Sequence, residues 1–366
     1  MTHSLLKEVC EDISKRPRFI NSYGASYTKS LIEDFTTKNN ISLTKEAFKA
    51  KLLQTNLFLK ARKIINLNIL NEFKEHVEGK LILLEIEKIR YINTLDEYIP
   101  LLLINDIIDI ELYKDKLNKL KPKAILFSLV NMDINFYQRI FGFSMPIFSI
   151  GYKDIESIQD IHYISLEPLK EDYAMGENLF FDIGRGPIVY ILSSLSSKED
   201  SNGAIYSASS VALSLSLAES FCKSYNSYFK FRFFFTEDTA DPFEGIYKHL
   251  EKNPKYAYYA ISFFNVGWAN KSLFYEDAHG ENAIYTGDKF YKYVKSLNQN
   301  IYFLKSKTVS SLHAPFKTKD ISTLMLGSYP CIISNTVYDD IESVRLEELQ
   351  SWFEILSGFL RKLHAL

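Results

Sequence analysis

Two adjacent carboxylates, Glu237 and Asp238, close the aromatic run Phe229-Lys-Phe-Arg-Phe-Phe-Phe235 through Thr236. A carboxylate pair at the end of a buried strand can divide acid and base work. With no His beside it in sequence, a polar strand end is the plainer account. Tyr275-Glu-Asp-Ala-His-Gly-Glu281 carries the side-chain types of a metal site in Glu276, Asp277 and His279, as do His313 and the pair Asp339-Asp340. Their spacing assembles no ligand set. The stretch 275–281 reads as a solvated loop. His313 reads as a group at a pocket rim that touches structure or substrate, and Asp339 and Asp340 read as residues that cap or flank a turn.

Nucleophilic chemistry is no better served. Ser207, Ser209 and Ser210 lie in a small-residue helix with no Gly-x-Ser-x-Gly elbow, so they read as packing. Gly184-Arg-Gly-Pro187 lacks the long Gly-spaced loop and the Lys-Ser/Thr pair that a phosphate site needs, and reads as a turn. Cys10, Cys222 and Cys331 are odd in number, far apart and without a Cys-x-x-Cys, which argues against a cysteine zinc site and for free thiols in a reducing compartment.

The elements that must position these residues follow from periodicity. Helices are predicted over 4–13, 25–38, 112–120, 207–220, 245–251, 289–297 and 346–364, and a helix start at Lys153. Ser207–Ser220 spreads its apolar residues too widely for one stripe and should be buried on most sides. Strands are predicted over 46–51, 79–86, 98–104, 123–130, 145–150, 178–183, 188–192, 229–235, 256–264 and 324–326, with 56–68 left as an edge strand or helix. Strand and helix alternate from Gly79 to about 160, which makes a compact α/β unit.

The 366 residues suffice for two domains. At 46% hydrophobic and 24% charged residues the chain can build a core, and a net charge of −2 with mixed signs argues against nucleic acid or an anionic membrane. The first residues form an amphipathic helix without an apolar stretch of signal-peptide length. No run approaches the roughly 18 apolar residues of a membrane span. The expected compartment is the cytoplasm.

Five segments in order resemble the zinc aminopeptidase family that includes bacterial leucyl aminopeptidases and the glutamate carboxypeptidase ectodomain. Arg18–Gly24 is similar to the family's opening, and Asn178–Gly186 to the strand and turn before its catalytic sheet. Val189–Ser196 stands where the family has a strand ending in His-x-Asp. Gly203-Ala-Ile-Tyr-Ser-Ala-Ser-Ser-Val211 follows Gly-Ala-x-Asp-x-Ala-Ser-Gly-Val, and Thr236-Glu-Asp238 follows Ala-Glu-Glu. Ser311–Phe316, Lys319–Leu326 and Asn335–Asp339 look like Ser-Asp-His-x-x-Phe, Gly-Ile-Pro-x-Leu and His-Thr-x-x-Asp. Gly79-Lys-x-x-Leu and Met145-Pro-Ile-Phe-Ser-Ile150 suggest a protease-associated-like insertion.

The resemblance implies a three-layer α/β/α fold on a mixed, mostly parallel central sheet, built from residues 1–70 and 165–366, with a smaller α/β or β-rich domain inserted at 75–160. It also implies two zinc ions and a Glu base. Carried over residue by residue, the ligand positions fall on Ser194, Ser196, Tyr206, Asp238, Phe264 or Asn265, and Asn335, and the base falls on Glu237. Only Asp238 keeps a ligand type there, and a catalytic zinc needs about three protein ligands. The expectation is therefore a non-catalytic relative with no cofactor, whose former cleft positions Ser194, Ser196, Tyr206, Asn265, His313 and Asn335 serve a peptide or small-molecule ligand, or assembly with a second copy or an active paralogue. The alternative is a metal-dependent aminopeptidase or other hydrolase with a rebuilt zinc site and Glu237 as general base. In parallel sheets such residues gather at the carboxyl ends of the strands.

Overall fold

The computed structural model describes residues 2–52, 56–60, 63–71, 73–137, 140–168, 172–224, 228–237, 243–253, 257–269, 271–276, 288–299, 301–306, 311–319 and 321–363. Helices α1 (Thr2–Ile13) and α2 (Tyr23–Lys38) lead into strand β1 (Thr44–Leu52). Ser22 accepts the Ala25 N–H and so caps α2, which fixes its start after the Pro17 turn. A run of shorter elements follows: β2 (Asn56–Lys60), β3 (Ile64–Ile69), β4 (Val77–Glu85), β5 (Tyr98–Ile104), α3 (Ile108–Leu120), β6 (Ile125–Leu129), β7 (Ile147–Ser149) and β8 (Tyr163–Leu166). The chain then returns through β9 (Asp172–Gly184), β10 (Ile188–Ser194), α4 (Ser209–Ser224), β11 (Lys230–Thr236), α5 (Glu244–Lys252) and β12 (Ala257–Phe264). It ends with β13 (Lys271–Glu276), α6 (Asp288–Ser296), β14 (Tyr302–Ser306), α7 (Ala314–Lys317), β15 (Thr323–Ser328) and α8 (Leu346–Lys362).

These strands make two sheets. The first has eight strands in the order β1-β9-β11-β10-β12-β15-β13-β14. Its centre, β11-β10-β12-β15, is parallel, and antiparallel pairings flank it. The period-2 alternation of strands divides its residues between two faces. Val189, Ile191, Phe231, Phe233 and Phe235 join a core with α1, α4, α6 and α8, whereas Tyr190, Leu192 and Phe234 meet α5 and α7. Helices on both faces give a three-layer α/β/α arrangement. Phe221 of α4 stacks on Phe231 with ring centres 4.7 Å apart, and each fully buried ring of this kind contributes about 1.5–3 kcal/mol. Helix α4 is buried on nearly every side, serines included, as its spread of small and apolar residues predicts.

The second sheet, order β2-β3-β7-β6-β5-β4-β8, is parallel at its centre and runs from Asn56 to Leu166. Strands β2 and β3, from the stretch 56–68 left open between strand and helix, pair antiparallel and extend this sheet rather than the first. The unit docks on the first sheet through Met325 and Tyr329, which enter its core beside Phe136, Ile140 and Met145. Among the described residues no helix is long and apolar enough to cross a membrane.

Candidate functional site

The parallel strands β10, β11 and β12 end together. Ser194 is in register with Thr236, and Leu192 with Ser262. One step beyond, Leu195 N–H donates to the Thr236 carbonyl at 2.8 Å and Ser196 Oγ donates to the Glu237 carbonyl at 3.1 Å. The chain then crosses this edge. Lys198 N–H donates to Asn335 Oδ1 at 2.8 Å, and Asn335 N–H donates to Asp339 Oδ2 at 2.7 Å. Asp339 also accepts from Ile205 N–H at 2.6 Å and Tyr206 N–H at 3.2 Å. Ser334 Oγ donates to Asn265 Oδ1 at 2.5 Å. Ser194, Ser196, Tyr206, Glu237, Asn265 and Asn335 therefore belong to one connected edge. Tyr275 and Glu276 close β13 rather than opening a loop. Asp238, Asp277 and His279 lie outside the described residues.

Phe264 and Asn265 have different surroundings. The Phe264 ring packs against the core of the second unit. Asn265 turns the chain in the left-handed region, φ 54°, which Asn adopts more readily than other non-glycine residues, and its amide faces Ser334. Asn335 does the same at φ 55°. Ser194 and Tyr206 are half-buried, whereas Ser196, Glu237, Asn265 and Asn335 are buried. His313 is buried, with Nδ1 2.8 Å from Ser262 Oγ on β12.

Glu237 is held on both oxygens. Oε2 accepts the Glu177 N–H at 2.9 Å, and Oε1 lies 3.3 Å from Lys29 Nζ, an ion pair without hydrogen-bond alignment. Burial raises its pKa above the ordinary carboxylate value, and the Lys29 ammonium opposes the shift. Asp340, as its sequence context predicts, caps a short 3-10 turn by accepting from Ser343 N–H. Asp339 does something else. It is buried, and although it accepts three backbone N–H groups, burial pushes its pKa up to about 6. The serines expected to pack do so: Ser207 Oγ accepts from Arg18 Nη2, Ser209 Oγ donates to Ile205 O and Ser210 Oγ to Ser207 O.

Sequence reasoning missed the groups that hold this edge together. Arg18, fully buried, donates to the carbonyls of Ile13, Arg16, Leu195, Asn202 and Gly203 and to Ser207 Oγ, at 2.7–3.2 Å. Burial lowers its pKa to about 10, against the pull of Asp339. Gly203 sits at φ 56°, and a Cβ there would lie 2.6 Å from Ser197 Cβ, so only glycine lets the loop approach this closely. It opens the single π-turn Ala204–Ala208 that carries Tyr206 into α4. Lys198, which is buried, and Lys29, which is half-buried, were equally invisible, because nothing in their local sequence marks a cation held at long range.

A second polar cluster lies beneath the α5 face of the same sheet. His249 Nδ1 is 2.8 Å from Glu46 Oε2, and Nε2 is 3.0 Å from the Tyr190 hydroxyl. Arg232 sits 4.6 Å from the centre of the Phe180 ring and pairs with Asp182 at 2.8 and 2.9 Å. The network is satisfied when Nδ1 carries the proton and Nε2 accepts from tyrosine. Burial lowers the His249 pKa, with Glu46 opposing.

Neither a family model nor a curated protein matches this sequence. Solved structures do. The zinc aminopeptidase BSAP from Bacillus subtilis aligns over 99% of this chain and 94% of its own, with TM-score 0.65 and 15% identity. A peptidase M28 precursor from Shewanella amazonensis SB2B aligns over 98% and 93%, with TM-score 0.65 and 13% identity. The chain has the fold of the zinc aminopeptidases. A glutaminyl cyclase from Porphyromonas gingivalis shares it too, over 99% and 98%, at TM-score 0.54 and 9% identity. The fold assignment made from the five sequence segments therefore stands. Among the described residues no three His, Cys, Asp or Glu side chains converge on one point.

Proposed function

We propose that this chain keeps the aminopeptidase fold as a non-catalytic binding or assembly module. The observation that carries this reading is the state of Glu237. A general base must be free to take a proton from water, and this carboxylate is enclosed between the Glu177 N–H and the Lys29 ammonium. The donor set points the same way. Ser196 spends its hydroxyl on a backbone carbonyl, and Asn335 Oδ1 spends itself on the Lys198 N–H. Neutral hydroxyl and amide groups do not suit zinc, which favours thiolate, imidazole and carboxylate.

We place the inserted unit on the second sheet, starting near Asn56 rather than at 75, and retain its protease-associated-like character as part of this proposal. The ligand we propose is a peptide or small molecule at the carboxyl edge. A second copy or an active paralogue is the alternative kind of partner, and the compartment is the cytoplasm. The test is metal analysis of protein purified without a His tag, together with hydrolysis of aminoacyl amides and esters under added zinc, cobalt or manganese. The expected result is no stoichiometric zinc and no turnover.

One observation favours a second reading. Burial raises the Glu237 pKa, the direction that suits a general base working near neutrality. A hydrolase with a rebuilt metal site would show metal-dependent turnover that is lost in Glu237→Gln, and that outcome would replace the first reading.

A further inference from the structure

A lysine ammonium taken out of water must find acceptors or give up its proton. Lys198, with a side chain 3% exposed, finds them across the boundary between the two sheets. Its Nζ donates to Asn68 Oδ1 at 2.8 Å, lies 3.2 Å from Asp200 Oδ1 and sits 5.2 Å from the centre of the Tyr137 ring. Asn68 belongs to β3, and Tyr137 to the segment that follows β6, both in the second unit. Lys198 and Asp200 belong to the loop after β10. Burial pushes the Lys198 pKa down, and Asp200 works against that.

Asn68 is built to receive this ammonium. It is buried, and its Nδ2 donates to the carbonyls of Asn135 at 2.7 Å and Phe136 at 3.1 Å, which fixes Oδ1 toward Lys198. Without the lysine that oxygen would be a buried acceptor with its donor removed, which costs more than the bond itself contributes. The loop at the other end of the lysine is equally fixed. Ser197 N–H donates to Arg18 O at 2.9 Å, and Lys198 N–H holds Asn335 Oδ1. One residue thus touches the candidate site with its backbone and the second unit with its side chain.

We infer that Lys198 is a charged latch that fastens the second-sheet unit to the loop bearing Ser196. Lys198 adds a polar tie between that unit and the Asn335 loop to the apolar packing of Tyr329 and Ile332 on its core. Whatever shifts the Asn335 loop, ligand or partner, loosens the unit, and by linkage the reverse holds. The latch is independent of whether the edge is catalytic.

Hydrogen exchange of the full chain, read by mass spectrometry, tests it. Lys198→Met keeps the stem and removes the charge. It should speed exchange about tenfold or more in residues 64–69 and 131–137 while β10 and β12 keep their protection. Lys198→Gln, which keeps a neutral donor and leaves the Asn68 bonds to Asn135 and Phe136 in place, should give a smaller rise in the same two segments. Unchanged exchange in those two segments would overturn the latch, and so would a rise spread evenly over both sheets. Should Lys198→Met fail to fold, Lys198→Gln decides by the same two criteria.

Discussion

Two buried polar clusters on one sheet have opposite shortcomings. Beneath the α5 face, Glu46, His249 and Tyr190 form a carboxylate–imidazole–hydroxyl relay with distances of 2.8 and 3.0 Å, the geometry of a proton-transfer triad. It is sealed: His249 is 0% and Tyr190 2% exposed, with Phe180 and Phe234 against the imidazole. At the carboxyl edge, Ser194 and Tyr206 do reach solvent, but the positions that should titrate hold serine, tyrosine and asparagine. In this chain the relay geometry lies where solvent does not reach. Relay geometry alone therefore does not identify a site, nor does a place at the sheet edge where sites usually lie.

The largest effect is expected at Arg18, which holds the carboxyl edge. Arg18→Met removes the buried positive charge that faces Asp339 and takes a donor away from five carbonyls, and it should cost about 3–5 kcal/mol, read as a lowered urea midpoint. A loss under about 1 kcal/mol would mean that the edge is held by packing and not by its charges.

Acid separates the two clusters, because they respond with opposite sign. The Asp339 pKa is raised from 3.8 to about 6, so between those values the folded chain holds more protons than the unfolded one. Its contribution to stability grows as pH falls from about 6 toward 4 and is lost as pH rises back through 6. Asp339→Asn removes this dependence. The variant should gain on the wild type by on the order of 2–3 kcal/mol between about pH 4 and 7. The His249 pKa is lowered from 6.5, so its contribution is present above about pH 6.5 and declines on acidification below it. Denaturant titrations at several pH values that gave Asp339→Asn and His249→Phe the same slope against wild type would contradict this assignment.

The smallest effect is expected at neutral pH in the sealed cluster. His249→Phe preserves shape and leaves Glu46 and Tyr190 without their partner, at about 1–3 kcal/mol. Any measurable change in ligand binding at the carboxyl edge would show that the two clusters communicate, which their separate faces argue against.

What could be read in the sequence was what local pattern encodes. Phe229–Phe235 alternates as a strand must, and Ser207–Ser220 lacks a polar face, so β11 and α4 were legible. The convergence of Ser194, Glu237 and Asn265 followed from each closing an apolar strand. Strands β13 and β14 were missed, since a helix lies between the two and neither run stands out from its neighbours. The stretch 56–68 was ambiguous because Leu-Phe-Leu and Ile-Ile-Asn-Leu fit either period. The buried charges were illegible for a different reason. Glu46 sits in a strand that alternates like any solvent-facing edge, His249 in an amphipathic helix, and Lys198 in a serine-rich loop. Each finds its partner at long range in sequence, His249 and Lys198 more than 100 residues away. Long-range electrostatic pairing leaves no mark on periodicity.

The first sheet cannot be completed until late in synthesis. Among the described strands β1 pairs with β9 alone, and β9 begins about 120 residues after β1 ends. At ordinary translation speeds that partner emerges roughly 6–24 s later. Through that interval β1 has an open edge, with lysines at 45, 49 and 51 along it, a composition that discourages pairing with the wrong strand. The intervening unit, whose contacts are nearer in sequence, can fold first. Once compact, it brings the two ends of a very long loop together and lowers the entropy that the β1–β9 pairing must overcome.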